Sequence, residues 1–360
     1  MDRKDLNRLA TYRTTDPGGT DGPGGTGPTI WWDGAMSPSQ PFPPDATLAD
    51  VGEFGLISAL SGRFDQGSQV FVGPGDDAAV LRTPRGHVVV STDLLVEGRH
   101  FRREWAPARD IGRKAAASNL SDINAMGGTA HSLTVGLGAP ADLPVAWAID
   151  LADGIAEEAA LVGASVVGGD LTTAKEVVIA VTVLGTCDIA PVLRSGARAG
   201  DVVAMAGRQG WAAAGLAVLA RGFRSPRALV EAYQRPQPPY AAGPLAAQAG
   251  ATSMIDVSDG LLADLGHVAH DSGVAVDVRR DAFELADPMH AVGSALGVDP
   301  MQFVLGGGDD HAIVATFPAG TALPEGFTAI GSVGEAGEAG PVVTVDGAAY
   351  DGPTGWSHFQ

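Results

Sequence analysis

From about residue 50 the chain alternates short β-branched runs with alanine-rich stretches whose apolar positions recur at helical spacing. Apolar runs bounded by glycine, proline or aspartate predict strands at 69–72, 87–91, 132–137, 177–186, 202–206, 274–278, 312–316 and 342–345. The helical pattern predicts helices at 52–60, 110–126, 144–161, 210–221, 240–249 and 261–271, with a break at Pro236, Pro238 and Pro239. Strands interleaved with helices in this way point to an α/β or mixed α+β architecture.

The pattern divides the chain. Residues 1–47 include PGGTDGPGGTGP and SPSQPFPP, carry no apolar period, and read as a disordered Gly/Pro-rich extension. Gly22, Gly24 and Gly27 stand in a G-x-G-x-x-G spacing there, but without the preceding strand and following helix that dinucleotide binding requires. Trp31 and Trp32 are the apolar exception in this tail. A second break lies near 187–200, where RSGARAGD separates one long apolar strand from the next, DVVAMAG. The expected organisation is therefore an N-terminal domain over 48–188 and a C-terminal domain over 189–360. A chain of 360 residues exceeds the roughly 250–300 at which single cores stop growing, which also favours two domains.

Charge and cysteine content narrow the function. With 42 acidic and 23 basic side chains the formal net charge is −19, which excludes a nucleic-acid surface of the usual basic kind. No apolar run approaches the length of a membrane span and the N-terminus lacks a signal-peptide core, so a soluble, cytoplasmic protein with no membrane partner is expected. The single cysteine, Cys187, rules out an internal disulfide framework and lies in a strand-like apolar run, where packing suits it better than reactivity.

The informative chemistry is carried by aspartates next to glycines and strand ends. They fall in Gly75-Asp76-Asp77, Ser91-Thr92-Asp93, Ser121-Asp122, Gly168-Gly169-Asp170, Asp256-Val257-Ser258-Asp259-Gly260 and Gly306-Gly307-Gly308-Asp309-Asp310. Any one of these groups is explained by turn formation or helix capping. Six of them together match the tendency of α/β ligands to collect at the carboxyl ends of strands. Carboxylates crowded into one cleft repel unless cations offset them, which implies hard divalent ions such as Mg²⁺. Such ions would also let an acidic protein bind a polyphosphate. The chain has no G-x-x-x-x-G-K-[ST] loop, no linked protein-kinase motifs, no H-E-x-x-H helix and no G-x-S-x-G elbow.

Read in order, the segments VGPGDDAAVL (72–81), STDLLVEGRHF (91–101), KAAASNLSDINAMGG (114–128), VGGDLT (167–172), RSGARAGD (194–201), MIDVSDGLLADLGH (254–267), LGGGDDHAI (305–313) and GWSHF (355–359) resemble the thiamine-monophosphate kinase family. The resemblance runs from about residue 52 to the C-terminus. It implies the two-domain aminoimidazole ribonucleotide synthetase-like fold, a homodimer formed through the N-terminal domain, and ATP bound in a cleft closed by the C-terminal domain. The implied reaction is direct, Mg²⁺-assisted, in-line transfer of the ATP γ-phosphoryl group to thiamine monophosphate, the last step of thiamine diphosphate biosynthesis.

Residue by residue, the resemblance makes Asp77, Ser91, Thr92, Asp93, Asp122, Asp170, Asp256 and Asp259 metal ligands, with Asp77, Asp93 and Asp122 catalytic through the metal. Gly169, Asp170, Arg194 and Ser258 become ATP contacts, and His100, Asp309 and Trp356 thiamine monophosphate contacts. The sequence departs from the family in one place. Many members have GGEDYEL where this chain has GGGDDHAI, so Asp309 is one methylene shorter than Glu, His311 replaces an aromatic hydroxyl and Ala312 removes a carboxylate. That departure bears on the acceptor pocket. On the helix predicted over 110–126, Ser118 and Asp122 share one face, which would turn Asp122 to the cleft with alanines packed behind. Lys114, four residues after Asp110, reads as its surface ion-pair partner. The rival readings are another enzyme of the same superfamily, or a silent nucleotide- and metal-binding protein.

Overall fold

A computed structural model describes residues 42–43, 45–48, 50–51, 56, 59–60, 62–72, 80–81, 87–338 and 340–356. Asp77, Trp31, Trp32, the first 41 residues of the expected extension and most of the helix expected over 52–60 lie outside these residues. Residues 42–47, expected within the extension, include two that pack on the body: Phe42 lies against the N-terminal core and Ala46 is buried in it. Thr47 bridges to Pro144.

In chain order the elements are β1 (Val70–Val72), β2 (Val80–Leu81), β3 (His87–Val96), α1 (Ala108–Ala125), β4 (Thr129–Ala139), α2 (Val145–Ala160), β5 (Ser165–Thr173) and β6 (Val178–Cys187). After an irregular stretch over 188–201 come β7 (Val202–Ala206), α3 (Trp211–Ala220), α4 (Arg227–Gln234), α5 (Ala242–Gln248), β8 (Ser253–Asp256), α6 (Leu261–Ser272) and β9 (Val274–Val278). A short 3-10 turn follows, and then α7 (Asp287–Leu296), α8 (Met301–Gly306), β10 (Ile313–Phe317), β11 (Phe327–Glu335) and β12 (Val342–Val345).

Among the described residues β3, β6, β4 and β5 form one sheet in that order, antiparallel except for the β4–β5 pair. Its strands β3 and β6 alternate as those of a one-side-buried sheet should, whereas β4 and β5 carry runs of consecutive buried residues. Ile179, Val181 and Val183 of β6 are fully buried against α1 and α2, in a core that also takes Ile111, Leu120 and Ile123 of α1. On β3 this register puts Val89, Ser91, Asp93 and Leu95 on one face and Val88, Val90, Thr92 and Leu94 on the other.

The second sheet has the order β12-β9-β11-β7-β10-β8 and is buried on both faces. Val203 and Val314 face a core shared with α6, while Ala204, Ala206, Ile313, Ala315 and Phe317 face one shared with α5. The C-terminal end of α1 reaches this second core through Ala125. One helix thus serves both halves, which is what brings residues of the first sheet to those of the second.

The strands expected at 202–206, 274–278 and 342–345 form with those bounds, and the rest of the expected strands form with shifted ends. β3 runs on to Val96, so Ser91-Thr92-Asp93 lies inside a strand rather than after one. Four of the strands were not expected: the short β2 and β8, and β5 and β11, whose glycines break the apolar run. In the fold, ladder pairing to β4 and β7 overrides that weak local preference.

Candidate active site

The face of β3 that carries Ser91 and Asp93 lies under α1. Ser91 Oγ donates to Asp122 Oδ2 at 2.6 Å, and the Asp93 backbone N–H donates to Asn119 Oδ1 at 3.0 Å. Asn119 is itself tied to its helix through the Ala115 carbonyl at 3.0 Å. The alanines Ala115, Ala116 and Ala117 are fully buried, so α1 is packed on more than one side here. Burial and the charges of Asp256 and Asp93 push the Asp122 acid up to about 7. Carboxylates from β3 and β8 are therefore near enough to Asp122, on α1, to oppose its ionisation.

Asp256 closes β8 and is buried. The loop that follows is organised by Asp264, in the first turn of α6, a residue that sequence reasoning passed over. One Asp264 oxygen accepts the backbone N–H groups of Ser258, Asp259 and Gly260 at 3.0, 3.1 and 3.0 Å. Burial and the nearby Asp256 and Asp259 still raise this acid to about 7. The detectable signal was the spacing Ser-Asp-Gly followed by an aspartate four residues after the glycine, the reach of one helical turn. Opposite this loop Gly308 passes so close that a Cβ there would collide with the Ser258 carbonyl.

Asp309 and His311 both adopt left-handed backbone conformations, with φ of 67° and 54°. Such residues cost on the order of 1–3 kcal/mol each and persist where surrounding contacts over-determine them. For Asp309 the contact is Lys114, whose Nζ lies 2.8 Å from Asp309 Oδ2. This corrects the surface pairing expected for Lys114. Its side chain is only 5% exposed and stands 4.0 Å from the Tyr233 ring centre, while Asp110 has Arg235 at 3.6 Å instead. Burial opposes the charge on both partners. The attraction between them prevails, holding the Asp309 acid below and the Lys114 ammonium above its ordinary value.

His100 lies close enough to Asp309 to act on its charge. Its Nδ1 accepts the Val96 backbone N–H at 3.0 Å, which only an unprotonated ring nitrogen does. Trp356 is 57% exposed, and its backbone N–H donates to the Asp259 carbonyl at 3.0 Å. The Arg99 guanidinium stands 5.9 Å from its ring centre, so one aromatic face already has a cation beside it.

His311 and Ala312 make contacts of their own, apart from the Asp309–Lys114 pair. Ala312 is fully buried in the core shared with α6, and the His311 ring bonds Asp256 at 3.0 Å and Ser118 at 3.1 Å. Burial alone would lower the His311 pKa, but its hydrogen bond to Asp256 and the nearby carboxylate charges raise it. Asp310 is spent structurally, with both oxygens 3.1 Å from the Ala212 N–H at the start of α3, and burial pushes its acid up to about 7.

Other residues stand apart from this group. Thr92 points to the opposite face of β3 and meets the Thr182 hydroxyl at 2.8 Å. Gly169 and the exposed Asp170 sit in the β5 row that β6 and β4 separate from Asp93, about 14 Å away at ordinary strand spacing. Gly169 has a packing reason to be glycine, since a Cβ would strike the Val135 carbonyl. Arg194 is exposed in the irregular stretch before β7, its carbonyl accepting from Ser272 Oγ at 3.2 Å. Ser258 is exposed beside half-buried Asp259.

The comparisons with known proteins now decide the family. The N-terminal domain model of the AIR synthase related proteins matches residues 75–187, and the C-terminal domain model matches 198–321. A thiamine-monophosphate kinase of Mycobacterium tuberculosis is 47% identical over 316 residues, 87% of this chain and 93% of that protein. The chain belongs to the thiamine-monophosphate kinase family. A second member of the family, from Corynebacterium glutamicum, is 38% identical over 87% of this chain and 95% of its own length. The solved thiamine-monophosphate kinase of Stenotrophomonas maltophilia superposes with a TM-score of 0.72 at 31% identity, covering 83% of this chain and 98% of that one. A structure described as AaThiL complexed with AMPPCP and TMP superposes at 0.69 with 29% identity, over 87% and 99% of the two chains. The mixed α/β, two-domain family fold expected from the motifs is the fold observed.

Proposed function

We propose that this chain transfers the γ-phosphoryl group of ATP to the phosphate of thiamine monophosphate, giving thiamine diphosphate and ADP. One observation carries the chemistry: Asp93 and Asp256, from two other elements, stand near enough to Asp122 on α1 to oppose its ionisation. That is a site built to be completed by cations. Among the described residues no three His, Cys, Asp or Glu side chains converge closely enough to hold a metal by themselves. The donor set is nevertheless all oxygen, carboxylates with the Ser91 hydroxyl beside them, and its repulsion is what Mg²⁺ bridged to phosphates relieves.

In this reading Asp93, Asp122 and Asp256 hold Mg²⁺, with Ser91 orienting Asp122 and Asp77, Asp170 and Asp259 adding ligands. Thr92 could contribute only through its main chain, because its hydroxyl is on the far face of β3. The ions, when bound, neutralise phosphate charge so that two anions can meet. Ser258, Gly169, Asp170 and Arg194 are read as nucleotide contacts. The acceptor lies toward His100, Asp309 and Trp356. Since two phosphoryl oxygens are brought into line, no protein nucleophile is needed.

The division at about 188 belongs to the same reading and is supported by the two family models and the separate cores. So does a homodimer. The outer face of β3 shows Val88, Val90 and Leu94 at 48, 64 and 55% exposure, an apolar row of the kind that a second subunit covers. Among the described residues no helix is long and apolar enough to cross a membrane.

The test is ADP release by the purified chain with ATP and Mg²⁺, comparing thiamine monophosphate, free thiamine, formylglycinamidine ribonucleotide and no acceptor. ADP with thiamine monophosphate alone, matched by thiamine diphosphate, is the expected outcome. Nucleotide binding without acceptor-dependent ADP would overturn it.

A further inference from the structure

His311 joins two elements that lie far apart in the sequence. Its Nε2 is 3.1 Å from Ser118 Oγ on α1, and its Nδ1 is 3.0 Å from Asp256 Oδ2 at the end of β8. All three residues are buried. An ionised carboxylate only accepts, so Nδ1 bears the proton that points at Asp256. The Ser118 hydroxyl is anchored from its own helix, with the Lys114 carbonyl 3.2 Å away. That anchoring and its burial remove Ser118 as a nucleophile, despite the Ser-His-Asp order. The His311 backbone N–H donates to the Val257 carbonyl at 3.1 Å, which locks the left-handed conformation beside β8.

A carboxylate that serves a metal needs its orientation fixed by a partner behind it, and imidazole–carboxylate pairs commonly supply this. Here the partner is itself gripped by α1, the helix that also presents Asp122. Movement of Asp256 relative to Asp122 would therefore break a hydrogen bond of His311.

We propose that His311 and Ser118 are positioning residues that hold Asp256 in register with Asp122, so that the metal–nucleotide end of the site is set across the two halves of the chain. The proposal rests on the reading of Asp256 as a metal ligand.

The test is calorimetric binding of a non-hydrolysable ATP analogue to the full chain with and without Mg²⁺, in the absence of acceptor, together with metal-free melting. His311→Leu removes both contacts. His311→Asn keeps a donor where Nδ1 stood, and Ser118→Ala removes only the anchor on α1. Loss of the oriented contact is expected to weaken Mg²⁺-dependent binding by about 10- to 100-fold in His311→Leu, with a smaller loss in Ser118→Ala. Partial recovery in His311→Asn and unchanged Mg²⁺-free binding complete the expected pattern. If His311→Leu fails to melt cooperatively, His311→Gln decides, since it reaches Ser118 but leaves Asp256 without a donor. Wild-type Mg²⁺-dependent binding in the folded histidine variants would overturn the proposal. Asp256→Asn separates the two claims. If it alone weakens binding, the ligand reading stands and the positioning role falls; if it too binds as wild type, the ligand reading falls and takes the proposal with it.

Discussion

Lys114 Nζ on helix α1 lies 2.8 Å from Asp309 Oδ2 in the loop after α8, joining the first sheet's helix to a loop of the second half of the chain. The pair is asymmetric, with Lys114 5% exposed and Asp309 39% exposed. Water therefore screens one end, and the lysine bears most of the cost if the pair is broken.

Lys114→Met is expected to lower stability by about 1–3 kcal/mol, less than a fully buried pair would lose, because Asp309 stays partly solvated. It should raise KM for thiamine monophosphate more than KM for ATP. The pH dependence follows from both shifts. Asp309 is held below its ordinary range, so its contribution is present above about pH 4 and lost as pH falls through its folded value. Lys114 is held above its ordinary value, so its contribution is present below about pH 10 and lost as pH rises beyond. Chemical unfolding of wild type and Asp309→Asn between pH 3 and 8 checks the acid limb, where the gap between them should close toward low pH.

Asp122→Asn should reduce kcat on the order of 100-fold or more, the scale for removing one preorganised electrostatic group. Folding should not suffer. The substitution relieves repulsion from Asp256 and Asp93 and keeps an oxygen that accepts from Ser91. Steady-state kinetics with a parallel melt decides it, and near-normal turnover with a native melt would remove Asp122 from the machinery.

Asp310→Asn tests a carboxyl group outside the reaction. Burial raises its acid to about 7, whereas the unfolded chain ionises near 3.8. Between those values the folded state binds the extra proton, so this group makes the protein less stable as pH rises from about 4 to 7. An asparagine keeps an acceptor for the Ala212 N–H without the charge. The melting temperature of the variant relative to wild type should therefore climb across that window and level off above it. A pH-independent difference would show that Asp310 is ionised throughout.

Gly169→Ala addresses a glycine that has both a packing and a binding explanation. Since the new methyl would strike the Val135 carbonyl, the β4–β5 pairing must open, at about 1–3 kcal/mol or more. A large drop in melting temperature of the ligand-free protein is the expected result. A native melt with weakened nucleotide binding would instead assign Gly169 to the ligand.

How much of this was legible in the sequence depends on what fixes each feature. The β-branched runs of β7, β9 and β12 carry their own preference and were bounded correctly. The strand β5 was not, because Gly168, Gly169 and Asp170 read locally as a turn and become strand only through pairing with β4. The clustering of Asp93, Asp122 and Asp256 was foreshadowed by residue type and motif order. Lys114 was misplaced because the spacing to Asp110 describes α1 in isolation, whereas the second half of the chain covers that face. His311 was judged against the acceptor pocket, and its turn toward Asp256 depends on a left-handed backbone that no periodicity reports. Asp264 was hidden by looking like a helix-start residue, which it also is.

The outer face of β3 supports the last prediction. Val88, Val90 and Leu94 project from the face opposite Ser91 and Asp93, so they can be changed without touching the carboxylates beneath. In a twofold interface each residue meets the same patch on the partner, and one introduced charge is therefore placed against its own copy. Val90→Glu, at the most exposed position of the three, should shift the protein from dimer to monomer in sedimentation velocity. Its melting temperature should become independent of protein concentration, whereas that of the wild type should rise with it. A wild-type chain that sediments as a monomer at all concentrations would show that this face is not the contact and that the site works within one subunit.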